Sequence, residues 1–290
     1  MRELLIASGK GGTGKTTIAA CLAAMEKSSK IVADADVDAS DLFILLDPQT
    51  TMSREFRAGR VATIQGDLCT QCGQCREACR FEAISEQFQV QPTECEGCGV
   101  CAQVCPVQAV SFTDRNSGQW YVSNTRFGPF VHARLHPGEE NSGKLVALVR
   151  HQARVLAEEQ NISWLIVDGP PGIGCPVISA MAGAGAVLMV TEPTPSGLHD
   201  LRRVAELASH FRLVRTVCIN KWDLNPQVTE EIERFCQDQQ IPVVGKIPYD
   251  LVVSRALVAR RVLVEWAPES RVAEEIQRLW ERVRPLVPHA

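Results

Sequence analysis

Short unbroken apolar runs, separated by longer amphipathic stretches, dominate the chain. Residues 2–8 (RELLIAS) predict a buried parallel strand, and residues 13–27 (TGKTTIAACLAAMEK) a helix with small and apolar residues on its packing face. Residues 30–36 (KIVADAD) predict a second buried strand. Strand, helix, strand in that order begins an α/β fold with a parallel sheet, because a right-handed crossover returns the chain beside the strand it left. The pattern resumes later. Residues 119–124 and 126–135 read as short strands, 142–160 as a helix and 163–169 (SWLIVDG) as a buried strand. Residues 185–193, 214–221 and 241–248 read as further strands with helical runs between them. The last run, 269–287, sets Val272, Ile276, Leu279, Trp280 and Val283 on one helical face. Its polar face is mixed rather than rich in Lys and Arg, which favours docking on a core over lying on a membrane surface.

Composition changes this picture in one place. From about residue 61 to 113 the chain turns to Cys, Gly and Gln, and the α/β pattern resumes afterwards. The expected division is therefore a nucleotide-binding domain over 1–60 and 114–290, with 61–113 inserted. Net charge is −4, so nothing points to nucleic acid as a partner. No apolar run is long and charge-free enough to span a bilayer, and the first residues lead straight into a strand without a signal-peptide pattern. The expectation is a cytoplasmic protein that engages neither membrane nor nucleic acid. The chain has 12 cysteines. A disulfide framework belongs to small secreted domains. Here two runs of equal spacing take most of the cysteines, which points to metal ligation.

Residues 9–17, GKGGTGKTT, fit G-x-x-x-x-G-K-[ST] through Gly9, Gly14, Lys15 and Thr16. Glycines let such a loop wrap so that backbone N–H groups face phosphate oxygens, and the helix that follows adds the positive end of its dipole. Gly9, Lys10, Gly11, Gly12, Thr13, Gly14, Lys15, Thr16 and Thr17 are thus the candidate nucleotide cradle. Lys15 is expected on the β- and γ-phosphates and Thr16 on Mg²⁺. Lys10, directly after Gly9, makes the loop resemble the deviant Walker A motif K-G-G-x-G-K-T, carried by the MinD, ParA, Mrp and nitrogenase iron protein group of P-loop ATPases.

That resemblance extends over nearly the whole chain outside the insert, through motifs in the expected order. It implies an α/β P-loop NTPase fold with a mostly parallel sheet flanked by helices, ATP and Mg²⁺ as ligands, and a dimer that sandwiches nucleotide. In that group the residue matching Lys10 reaches across to the partner's phosphates. In VADADVDASDL, Asp36 matches the acidic residue that orients the attacking water. Asp34 is its neighbour, and both carboxylates are expected to face cation and phosphate and stay ionised. Asp38 and Asp41 read as loop or cap residues. In LIVDGPPGIG, Asp168 ends the buried apolar strand and matches a Walker B aspartate on Mg²⁺, and Gly169, Pro170, Pro171 and Gly172 match a γ-phosphate-sensing loop. Asn220 and Asp223 in CINKWD match base-contacting positions. Asp223 is open to a helix-capping role as well.

The insert carries two runs of spacing C-x2-C-x2-C-x3-C, namely Cys69, Cys72, Cys75, Cys79 and Cys95, Cys98, Cys101, Cys105. EAIS at 82–85 matches QAVS at 108–111, so the runs form an internal repeat. The spacing resembles bacterial ferredoxins, in which three cysteines of one run and the last of the other hold each [4Fe–4S] cluster. The resemblance implies a small α+β ferredoxin-like domain with two clusters, one on Cys69, Cys72, Cys75 and Cys105 and the other on Cys95, Cys98, Cys101 and Cys79. Structural zinc is the plainer alternative for C-x2-C pairs. Arg80 stands where the second run has Pro106. An inward-pointing Arg80 would raise the potential of the nearby cluster.

Cys21, Cys218 and Cys236 read as small buried hydrophobes. Cys175 follows Asp168 by the interval at which the nitrogenase iron protein places a cluster cysteine, so either a packing role or a dimer-interface role is open to it. The functional expectation is an ATP-dependent dimer switch coupled to electron transfer. Its dimer is either homotypic or shared with a related ATPase, and its partner is a redox protein. The alternatives are a carrier ATPase similar to Mrp, serving an apo iron–sulfur or metal-cofactor protein, and a redox-sensing positioning ATPase similar to MinD and ParA.

Overall fold

The computed structural model describes residues 1–139 and 142–289. They divide into two compact units. The first holds residues 1–54, 120–134 and 142–290, the second 55–119 and 135–141. The second unit thus begins and ends outside the Cys-rich stretch, because its flanking segments are strand rather than linker.

The strands are β1 (Arg2–Ser8), β2 (Lys30–Asp34), β3 (Gln49–Ile64), β4 (Val110–Thr125), β5 (Gly128–Leu135), β6 (Trp164–Pro171), β7 (Ala186–Thr191), β8 (Val214–Asn220) and β9 (Val243–Ile247). They lie in the order β3-β4-β5-β2-β6-β1-β7-β8-β9. From β5 to β9 every neighbouring pair is parallel. β4 and β5 are joined by Arg126 and Phe127 alone, a connection only antiparallel neighbours permit. The predicted strand at 119–124 is the end of β4, whose earlier part runs through the polar residues TDRNSGQ. The strand β3 carries only a weak apolar alternation, Phe56 and Ala58 being buried amid exposed neighbours.

In the first unit β1, β2, β6 and β7 are buried almost throughout, which is why they read as continuous apolar runs. The helix Lys15–Met25 covers one side of them with Ile18, Ala19 and Leu22. The terminal helix Arg271–Val283 buries Val272, Ile276, Leu279, Trp280 and Val283 in the same core, with Trp280 edge-on to Trp164 at 5.2 Å. That apolar stripe faces protein rather than a membrane. Among the described residues no helix is long and apolar enough to cross one.

A buried ion network ties three elements of this unit. Glu3 on β1 is paired with Arg150 and Arg154 of the helix Ser142–Glu159. Arg150 Nη1 also donates to the Ser179 and Ala182 carbonyls at 2.7 and 2.9 Å, at the C-terminal end of the helix Cys175–Met181. A cation there answers the negative end of the helix dipole.

The second unit repeats itself in backbone as well as in sequence. Gly73 and Gly99 take φ of 82° and 89°. Each precedes a one-turn helix, Gln74–Glu77 or Val100–Gln103. Glu82 and Gln108, at matching places, both take φ of 53°.

Candidate functional site

The loop 9–14 leaves the C-terminal end of β1, between the ends of β6 and β7, where parallel α/β sheets bind ligands. Two glycines are fixed by their surroundings. A Cβ on Gly9 would stand 2.2 Å from the Asp200 Cβ, and one on Gly14, at φ 96°, 2.5 Å from the Asn220 amide nitrogen.

Asp34, the last residue of β2, is the register partner of Asp168 within β6. Lys15 is buried, its Nζ 3.6 Å from Asp36. Burial raises Asp36 above the usual carboxylate range, and Lys15 opposes that rise. Asp168 is fully buried and neither of its oxygens has a hydrogen-bond partner. Burial pushes it up to about 6. Lys15 and the nearby Thr16 hydroxyl pull the other way, and Asp36 and Asp41 add to the rise. A buried carboxylate without a partner, beside a lysine and a threonine hydroxyl, fits a divalent cation bound with phosphate.

Asp34 departs from expectation. It accepts hydrogen bonds from the Ser40 hydroxyl at 2.7 Å and from the Asp36 and Leu42 amides at 3.1 and 3.3 Å. Its carboxylate therefore shapes the 35–42 loop instead of facing phosphate. Burial and the Asp168 charge raise its pKa, against the expectation of an easily ionised group.

Lys10 is held within its own chain, by Glu192 at 2.7 Å and the hydroxyls of Thr194 and Ser196 at 3.2 and 3.1 Å. Glu192 also pairs with Lys221 at 3.0 Å, and Lys221 donates to the Gly12 carbonyl. Burial works to raise the Glu192 pKa, yet the two lysines bring it below the ordinary range. Glu192 belongs to no motif that would single it out, and Lys221 lies within CINKWD between the two positions that motif marks.

Asn220 donates to the Thr13 carbonyl at 2.8 Å and accepts from the Lys221 amide at 3.0 Å, so it braces the loop. Asp223 accepts from the Tyr249 amide at 2.7 Å and sets the segment after β9. Between the loop and that segment lies a cleft of about 230 Å³, lined by Gly12, Gly14, Thr17, Asn220, Pro248 and Tyr249 among others. It is one-sidedly apolar and suited to a flat heterocycle. Thr17 and Asn220 face it. Tyr249 was not legible from motif, since only the chain's return after β9 brings it here. Gly11 has nothing near its Cβ position. Near the end of β6, Gly169 approaches the Ile6 carbonyl too closely for a side chain, and in the turn that follows Gly172 takes φ of 91°.

In the second unit, Cys69, Cys72, Cys75 and Cys105 line one small cavity, and Cys79, Cys95, Cys98 and Cys101 line another. The Ala62 amide donates to Cys95 Sγ at 3.5 Å and the Ala109 amide to Cys105 Sγ at 3.2 Å, so each quartet holds one N–H···S contact. Among the described residues no three His, Cys, Asp or Glu side chains converge on a single-ion site. A four-iron cluster is a larger body than one zinc ion, whose thiolates stand only about 2.3 Å from it. Four thiols around a cavity fit the cluster. Arg80 is exposed and has no ion pair among the described residues. Cys175 is exposed at the start of its helix, whereas Cys21, Cys218 and Cys236 are buried.

Residues 4–263 match the CobQ/CobB/MinD/ParA nucleotide binding domain. An uncharacterised protein of Methanocaldococcus jannaschii is 34% identical over 98% of this chain and 97% of its own. The cell division ATPase MinD of Pyrococcus furiosus is similar in fold at TM-score 0.60, with 18% identity over 99% of each chain. MinD of Pyrococcus horikoshii, solved with Mg-ADP, also has TM-score 0.60 and 18% identity, over 98% of this chain and 96% of its own.

Proposed function

Since the chain belongs to the CobQ/CobB/MinD/ParA nucleotide-binding family, we propose that it is an ATPase whose nucleotide cycle is coupled to one-electron transfer through two [4Fe–4S] clusters. The observation that carries the redox half is the gathering of eight cysteines into two quartets, each drawing its fourth member from the other run.

The residues divide the work of hydrolysis as follows. Backbone N–H groups of 11–16 bind the phosphates, with the heterocycle in the cleft beside Tyr249. Lys15 neutralises charge on the β- and γ-phosphates, and Thr16 and Asp168 would hold Mg²⁺, which when bound offsets charge developing on the transferred phosphoryl group. Asp36 orients the water. Lys10 leaves Glu192 to meet the phosphates of a partner subunit, either a second copy or a related chain. The segment 169–174 senses the γ-phosphate. The eight cysteines would ligate the clusters, whose chemistry when bound is one-electron exchange with a redox partner. Any coupling is reciprocal: if ATP shifts a cluster potential, reduction shifts ATP affinity by the same free energy.

The test is iron and acid-labile sulfide analysis of anaerobically purified protein, then redox titration followed by EPR with and without MgATP. About eight irons per chain and a nucleotide-dependent midpoint are expected. Iron-free protein sinks the cluster reading. Two ordinary signals indifferent to MgATP sink the coupling and favour a positioning ATPase with the clusters as sensor, a reading the family membership supports.

A further inference from the structure

The two cysteine runs are alike in spacing and backbone, and each quartet receives one N–H···S contact. They differ in the charge set against them. Arg60 lies along the loop that carries Cys95 and Cys98: its Nε donates to the Gly97 carbonyl at 2.9 Å. A Cβ on Gly99 would stand 3.0 Å from its Nη2. Its guanidinium sits 4.3 Å from the centre of the Phe112 ring. No carboxylate pairs with Arg60 among the described residues. Arg115 touches the same loop through the Cys95 carbonyl at 3.0 Å, but Glu139 answers that charge at 2.7 Å.

At the matching place in the first run stands Gly73. What its Cβ would meet is a carboxylate oxygen of Glu77, at 3.8 Å. The nearby Arg76 is spent on Glu86 at 3.0 Å. Glu96 lies among the residues around the Cys79, Cys95, Cys98 and Cys101 cavity, but it, Glu94 and Glu77 are all exposed, and no hydrogen bond or ion pair holds any of the three side chains among the described residues. Free in water, their charges are screened. Arg60 is held in place by a hydrogen bond and a ring.

We propose that Arg60 makes the two clusters unequal: it gives the cluster on Cys79, Cys95, Cys98 and Cys101 the higher reduction potential, so the first electron rests there. This builds on the cluster reading above. Reduction adds one electron and one negative charge to a cluster, with no ligand lost and no proton required. A fixed guanidinium nearby stabilises that added charge. Electrons then run downhill from the Cys69–Cys72–Cys75–Cys105 cluster, which is oxidised by one electron as the other is reduced.

The experiment is a dithionite titration of the cluster-loaded full chain, followed by EPR, on wild type, Arg60→Gln, Arg60→Lys, Arg60→Met and Glu77→Gln, with iron counted in each. Wild type should show two midpoints more than tenfold apart in electron partition, 59 mV for one electron. Arg60→Gln should lower the upper midpoint by at least threefold in its reduction equilibrium and leave the lower one in place. Arg60→Lys should restore most of the loss, and Glu77→Gln, which removes a screened charge, should leave both midpoints in place. Full iron with both midpoints unmoved in Arg60→Gln overturns the proposal while the clusters stand. Should Arg60→Gln shed iron, Arg60→Met decides, since it keeps a long side chain on the Phe112 ring without the charge: full iron with the upper midpoint unmoved overturns the proposal. A wild type free of iron and sulfide overturns both readings together.

Discussion

Asp168 shows what a single residue contributes at this site. Its carboxylate is buried with no hydrogen bond to either oxygen, so in the ligand-free protein its charge is a liability. Its folded pKa, about 6, lies above the ordinary 3.8. The destabilisation is therefore complete above the folded value, shrinks as pH falls through it, and is gone below the unfolded value. Asp168→Asn should abolish phosphate release, by roughly 10²-fold or more, yet stabilise the nucleotide-free protein at pH 8 by about 2 kcal/mol. Denaturant melts at pH 8 and pH 5 check this, and the gain should be smaller at pH 5. The thiols offer a second check. Burial pushes Cys21 and Cys236 up to about 12 and raises Cys218 as well. Iodoacetamide on the cluster-loaded protein should therefore label exposed Cys175 first and reach those three only on unfolding. Lys15, Thr16 and Asp168 were legible in sequence because phosphate chemistry dictates both their type and their spacing. Glu192 was not. Its role comes from bridging Lys10 and Lys221, and only folding brings those three together. Asp34 misled for the opposite reason: its motif position is right, but Ser40 and the Asp36 and Leu42 amides take up its oxygens.

Elements were readable in proportion to their burial. The parallel strands of the first unit are buried on both faces and stand out as apolar runs. β3 and the first half of β4 have one exposed face and polar residues throughout, so neither run length nor alternation marks them. The terminal helix was readable because its stripe has the helical period. Trp280→Ala should cost about 3 kcal/mol in denaturant unfolding, through lost burial and the cavity left beside Trp164. The phosphate loop is a smaller element held by one side chain from outside. Losing the Asn220–Thr13 hydrogen bond is worth about 1 kcal/mol. Asn220→Ala should therefore weaken nucleotide binding roughly fivefold in calorimetry and change turnover at saturation much less.

For the whole molecule, the repeat in the second unit and the order of motifs in the first were both open to sequence. Whether the two units exchange free energy was not, since that is a property of states and not of residues. In the dimer switch proposed here, Lys10→Ala should leave the fold of the single chain intact while removing ATP-dependent dimerisation in sedimentation. The retained fold separates that outcome from general damage. The network of Glu3 and Arg150 bears on how such a switch would move. Arg150 grips the last turn of the helix Cys175–Met181 by two carbonyls, while the first turn opens from the segment 169–174, with Gly172 in the left-handed region and Cys175 exposed. This rod, about 10 Å long, rests at both ends on the helix Ser142–Glu159: on Arg150 at one, and at the other on Gly143, where a Cβ would stand 3.2 Å from the Cys175 Cβ. A rotation imposed by the γ-phosphate could not swing one end alone; it would press on that helix as a body and pass through Arg150 to Glu3, so the switch would be felt on β1 as well as at Cys175.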